Sequence, residues 1–206
     1  MVRRVDPLVL LTLLGLVLSG AVALLNPAEP FDHEDPERQV GRTVAIRLEV
    51  IESRHGDGWS RGLAVPEGRR PTPDAPPERV AHAVPWVWFR AEEAPVVGDL
   101  IVGRAQVTAH DGVTGVMISG PQAYVRATLG PVPIRWVDLF DRPHAYVGRT
   151  LLLTGIVHDG VLVSPDGTRT CTIDGPAPPA GVGPWALHLV PDPARPGWRC
   201  RIGDAP

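Results

Sequence analysis

Apolar and polar residues alternate along the stretch after Gln39. Val44, Ile46, Leu48 and Val50 share one parity, while Ala45, Arg47 and Glu49 share the other. That is the period of a half-buried strand. The residues that open this strand, Val40-Gly41-Arg42-Thr43, return later as Val147-Gly148-Arg149-Thr150. Both copies continue as apolar, β-rich runs, to Glu52 and to Asp159. The repeat predicts two domains, each beginning with a long strand.

Short β-rich runs bounded by turn residues predict the other strands. In the first domain these are Trp59 to Val65, Pro85 to Ala91, Leu100 to Thr108 after Gly98-Asp99, and Val113 to Ser119 with Tyr124 to Arg126. His55 to Gly58 and His110-Asp111-Gly112 read as turns. Glu67 to Arg79, with Pro71, Pro73, Pro76 and Pro77, reads as a surface loop. In the second domain the predicted strands are Leu151 to His158, Val161 to Ser164, Thr168 to Asp174, Ala186 to Val190 and Trp198 to Ile202. Pro176 to Pro184 reads as a proline-glycine loop. Leu129 to Asp141 reads as a linker with a short helical turn at Trp136 to Phe140.

Ahead of the repeat, Pro7 to Leu25 carries no charge and is rich in leucine and valine. A helix of that length just crosses a hydrocarbon core of roughly 30 Å. Arg3 and Arg4 precede the run and the next arginine is Arg38, which favours an N-terminus inside and the folded part outside the cytoplasm. Ala21-Val22-Ala23 also has the form of a signal-peptide cleavage site. Both readings export the remainder, and the run through Leu24 and Leu25 favours an uncleaved single-pass anchor. Asn26 to Gln39, with Pro27, Pro30 and Pro36 among acidic residues, reads as an extended spacer. His33-Glu34-Asp35 within it has the residue types of metal ligands. No second cluster has ligand spacing, so it reads as a solvated charge run and no metal site is expected.

The expected fold class is therefore all-β: two small five-stranded barrels, the second smaller or incomplete, behind a transmembrane helix. The expected boundaries are 1–26 for the anchor or signal peptide, 27–39 for the spacer, 40–128 for the first barrel, 129–145 for the linker and 146–206 for the second barrel. The 22 glycines and 24 prolines fit many turns and few helices. A net charge of −3 argues against a strongly basic nucleic-acid binder. No lysine occurs, so every basic residue is arginine.

Val-Gly-Arg-Thr, a long strand, two more strands and then Gly-Asp before a fourth together resemble the OB-fold. The resemblance runs from Val40 through Gly98-Asp99-Leu100 to about Arg126, and again from Tyr146 onward. A membrane anchor followed by an exported OB-fold is similar to the haem chaperone of cytochrome c maturation, on Gly155-Ile156-Val157-His158-Asp159-Gly160. That family attaches haem to a histidine in a His-x-x-x-Tyr pattern after its barrel. The pairing present here, His144-Ala145-Tyr146, has a shorter spacing and precedes the barrel.

The third predicted strand carries the candidate site. Trp86, Trp88 and Arg90 share one parity, and Val87, Phe89 and Ala91 the other. With Val87 and Phe89 inside, the tryptophans and Arg90 stand outside, beside a loop bearing Arg61, Arg69, Arg70 and Arg79. Stacking rings in a basic groove suit a single-strand nucleic-acid binder. Trp and Arg are also the residues enriched in protein-protein hot spots. With the tryptophans inside, the same residues are barrel packing. Cys171 and Cys200 are the chain's two cysteines and in an oxidising compartment read as a disulfide. His82, His110, His144 and His158 lie near turns, and His188 lies on a late strand. No nucleophile elbow, phosphate loop or paired acid motif is present. The expectation is a non-enzymatic, cofactor-free module that binds a protein partner at the membrane surface. Single-stranded nucleic acid and haem handling are the alternatives.

Overall fold

The computed structural model describes residues 28–56, 58–70, 80, 82–89, 94–128, 130–194 and 196–203. The expected membrane segment 7–25 lies outside them, as does most of the proline loop after Arg70. Among the described residues no helix is long and apolar enough to cross a membrane.

The first sheet closes on itself. β2 (Thr43–Gly56) pairs with β5 (Asp99–His110) along Thr43 to Glu49, and with β3 (Trp59–Pro66) from Leu48 onward. A register shift between Val50 and Glu52 lies in the β3-paired part. A bulge of this kind bends and coils a strand, which closure requires. β3 pairs with β4 (Val84–Trp88), β4 runs parallel to β6 (Val113–Ile118), and β6 returns antiparallel to β5. The result is a closed five-strand barrel. Val44, Ile46, Leu48 and Val50 fill it, as their alternation predicts, with Ile101, Val107, Val116 and Ile118. β7 (Ala123–Ala127) adds to the far edge of β5.

The second sheet repeats the order without zipping it shut. β9 (Leu151–His158) lies between β10 (Val161–Val163) and β12 (Gly181–Pro191). β11 (Thr170–Thr172) and β13 (Trp198–Ile202) occupy the two ends. It is a curled half-barrel. In the first barrel three parallel residue pairs join the third and fifth strands. Here that seam holds one parallel bridge, Ile173 to Cys200, and the predicted Cys171–Cys200 disulfide.

The repeat is longer than its tetrapeptide. β1 (Glu29–Pro30) lies parallel on Val44 and Ala45 of β2, and β8 (Val132–Pro133) lies parallel on Leu151 and Leu152 of β9. A proline-led 3-10 turn follows each, Pro36–Gln39 and Pro143–Tyr146. The next glycines, Gly41 and Gly148, take left-handed φ values of 83° and 78°. Arg42 N–H then bonds the Gln39 carbonyl, and Arg149 N–H bonds that of Tyr146.

Three expected boundaries change accordingly. The described part of the 27–39 spacer is docked on the first barrel. Gln39 is buried, donates to the Pro30 carbonyl and accepts from the Asp32 N–H. The 129–145 linker belongs to the second core: Val132 and Ile134 are buried, as are Trp136 and Leu139 of the one-and-a-half-turn helix α1 (Trp136–Asp141). β12 also runs back through Gly181 to Pro184, expected as loop. Pro184 is tolerated because its missing N–H faces an edge with no paired strand among the described residues.

Candidate binding face of the first barrel

β4 decides which side chains the first barrel shows to solvent. Both parities of Pro85-Trp86-Val87-Trp88-Phe89 are apolar, so alternation alone leaves its orientation open. The structure places Trp86 and Trp88 inside, at 1% and 0% exposure. Of the two orientations the sequence leaves open this is the inward one, and it takes Trp86 and Trp88 off the surface expected to bind a partner. A tryptophan buries more apolar surface than a valine, and each extra 50 Å² contributes about 1 kcal/mol. Turning both indoles inward therefore wins. Neither indole N–H meets an acceptor among the described residues.

The expected arginines are not gathered around them. Arg70 spans from β3 to the second module, donating to Glu49 at 3.3 Å, to the Thr128 hydroxyl at 3.2 Å and to the Pro131 carbonyl at 3.3 Å. Arg69 is exposed on the turn after β3. Arg90 lies outside the described residues.

An aromatic-arginine surface nevertheless exists, built on Arg61, one of the expected arginines, and on aromatic rings other than the two tryptophans of β4. Trp59 and Arg61 share the outer face of β3, and Arg61 lies over the Trp59 ring at 5.1 Å. Gly56 makes room for that ring, since a Cβ there would collide with it. Across the sheet Arg61 pairs in register with Val87, and Val87 with Met117. The β3–β4 register, carried one residue on, sets Phe89 opposite Trp59. Phe89 is 50% exposed. Trp59 and Arg61 share a parity in the sequence, which was the available signal. The two buried tryptophans of β4 were the louder one.

The basic character of this barrel is mostly neutralised by local pairing. Arg47 grips Glu67 with two hydrogen bonds, and Arg54 pairs with Glu52 at 2.8 Å. The hydrogen bond from Arg47 holds the Glu67 carboxyl below its ordinary pKa. A cleft of about 460 Å³ lined by Glu49, Glu67, Arg70 and Arg126 is thus mixed in sign.

His33 and His82 meet edge-on with ring centroids 5.5 Å apart, and the other histidines sit in separate surroundings. His144 meets Trp198 edge-on at 5.2 Å, His158 pairs with Asp159, and His188 Nδ1 lies 3.1 Å from the Arg149 carbonyl. His55 sits at the joint between modules, with Ser60 Oγ 2.8 Å from Nδ1, Ser53 Oγ 3.1 Å from Nε2 and Arg142 Nη1 3.2 Å from Nδ1. Burial, then the Arg142 charge, hold its pKa below the ordinary imidazole value. Among the described residues no group of three or more His, Cys, Asp or Glu is placed to hold a metal ion. Comparison with models of known families, with curated proteins and with solved structures finds no match to the chain.

Proposed function

We propose that the chain is a membrane-anchored, extracytoplasmic, non-enzymatic binding module of two OB-like barrels, and that its first barrel holds a protein partner. The single observation that carries this reading is the Trp59–Arg61 pair beside half-exposed Phe89 on the outer face of β3 and β4. A five-strand barrel closed in the order β2-β3-β4-β6-β5 suits the OB assignment. In that fold the second and third strands and the first hairpin loop form the ligand face. Here these are β3, β4 and the turn that ends at Trp59. An arginine stacked on tryptophan next to an exposed phenylalanine has the composition of a protein-protein hot spot.

The same ring would accept a nucleic-acid base. Phosphate binding, however, needs local positive charge. Arg47, Arg54 and Arg70 are held in ion pairs, and the net charge is −3. Haem handling draws no support from His144 or His188, whose rings already meet Trp198 and a backbone carbonyl. The disulfide and the arginine asymmetry around residues 7–25 support the exported placement.

The test is photo-cross-linking in native membranes, with a cross-linking residue at position 89 of the full-length chain and, as control, at exposed Tyr124. The reading expects a discrete protein adduct from position 89, lost on Arg61→Ala, and none from 124. Equal labelling from both positions, or none from 89, overturns it. A nuclease-sensitive adduct establishes the nucleic-acid alternative instead.

A further inference from the structure

The two modules differ at one strand edge. Val44 and Leu151 are equivalent through the repeated tetrapeptide; Val44 pairs with Ala105 of β5, and Leu151 with Leu187 of β12. β5 and β12 are therefore equivalent strands. On β5, Asp99 to Gly103 carry β7 on the edge away from β2. The equivalent stretch of β12, Gly181 to Trp185, has β9 on one edge and, among the described residues, no strand on the other.

That edge has pairing capacity. Gly203 N–H donates to the Ala186 carbonyl, so the polar groups of Ala186 point to this side. Strand alternation makes those of Pro184 and Val182 point the same way. The edge offers the Val182 N–H, the Val182 carbonyl and the Pro184 carbonyl; proline lacks only the donor.

It also has room. The first barrel's buried Ile101 corresponds to Gly183, around whose side-chain position nothing among the described residues lies within 4 Å. In β7 the residue opposite Ile101 is Val125, which packs against the barrel core. On the outer side Val182 is 76% exposed, opposite Ile156 at 38%.

We propose that the Gly181 to Trp185 edge of β12 receives an extended strand from a partner polypeptide. That strand adds antiparallel, as β7 adds to β5, and sets a valine-sized apolar side chain over Gly183. This is recognition by strand addition: main-chain hydrogen bonds supply affinity and alternate side chains supply specificity. The site lies on the other module from the Trp59 face and stands or falls separately from it.

The probe is a synthetic peptide of β7 itself, residues 120–128, added to the full-length protein in detergent micelles while hydrogen exchange is followed. At ten times its Kd the peptide slows exchange of the Val182 amide about tenfold, with β2 and β5 unchanged and the disulfide intact. Gly183→Val fills the room and abolishes the protection; Val182→Pro removes the edge donor, and binding of the labelled peptide to it, read by fluorescence anisotropy, is lost. No protection at millimolar peptide overturns the proposal, as does protection that survives Gly183→Val or peptide binding that survives Val182→Pro. Protection already present without peptide overturns it in two further forms. If deleting residues 204–206 removes it, the chain's own tail holds the edge. If it grows with protein concentration, the edge pairs with a second copy.

Discussion

Arg149 donates to the Asp99 carboxylate at 2.6 Å, tying the second copy of the repeated tetrapeptide to the residue that opens β5. Their side chains are 18% and 3% exposed. The first copy's Arg42 also pairs with a carboxylate, Glu29, but at 62% and 56% exposure. One arginine thus makes a surface pair and its equivalent makes the buried joint between modules. Tyr146 sits in the same joint, its ring 5.9 Å from the Arg149 guanidinium.

Removing the buried arginine leaves a buried carboxylate unpaired. Arg149→Met costs about 3 to 5 kcal/mol at neutral pH, whereas Arg42→Met costs under about 1 kcal/mol. The pH sign separates the mechanisms. Burial raises the Asp99 carboxyl above its ordinary pKa, against the Val96 N–H and Arg149. A raised carboxyl contributes fully below its unfolded value, and that contribution fades as pH climbs through the folded value. Arg149→Met raises it further, so the variant's deficit narrows toward pH 4. Urea unfolding at neutral and acid pH measures both.

The seam of the half-barrel depends on its cross-link. Cys171 and Cys200 are 29 residues apart. Closing a loop of that size contributes about 3 to 4 kcal/mol. Cys171→Ser with Cys200→Ser, or reduction, is expected to destabilise the second module by that amount. Hydrogen exchange should rise in β11 and β13 while the first barrel, zipped by β4 and β6, stays protected. Equal loss in both modules would show that the seam is not local.

Trp88 is packing, and its two substitutions should diverge. Trp88→Ala costs about 3 to 5 kcal/mol through the cavity it leaves. Trp88→Phe costs much less, because the N–H it removes has no acceptor among the described residues. Phe89→Ala, on the exposed side, stays within about 1 kcal/mol. Chemical denaturation of the three variants checks the order, and a large loss from Phe89→Ala would reverse the assignment of faces.

His55 makes the joint sensitive to acid. Its pKa is held low by burial and by Arg142. The stability of the neutral ring is present above the ordinary imidazole pKa and is lost as pH falls through the lower folded value. Thermal melts of the parent should therefore drop as pH falls below about 6.5. His55→Gln, which cannot charge, should flatten that drop.

The strands themselves were legible because their determinants are local. Leu151 to His158 and Trp198 to Ile202 were bounded as found, and the repeated Val-Gly-Arg-Thr marked both first strands. The disulfide followed from two cysteines and a compartment. Residues 28–39 and 132–145 were read as connections because two-residue strands and 3-10 turns have no period to detect. Their docking depends on β2 and β9 offering a parallel edge.

Sequence alone thus determined the β class, the tandem organisation and the cysteine pair, since alternation, turn chemistry and repetition act over a few residues. Tertiary structure decided the rest. It chose the inward face of β4, where both parities were apolar and only the volume of a closed barrel could break the tie. It closed one barrel and left the other a half-barrel, through pairings between strands distant in the chain. It also gave identical arginines, Arg42 and Arg149, different roles, because burial is set by what packs above them and not by their neighbours in sequence.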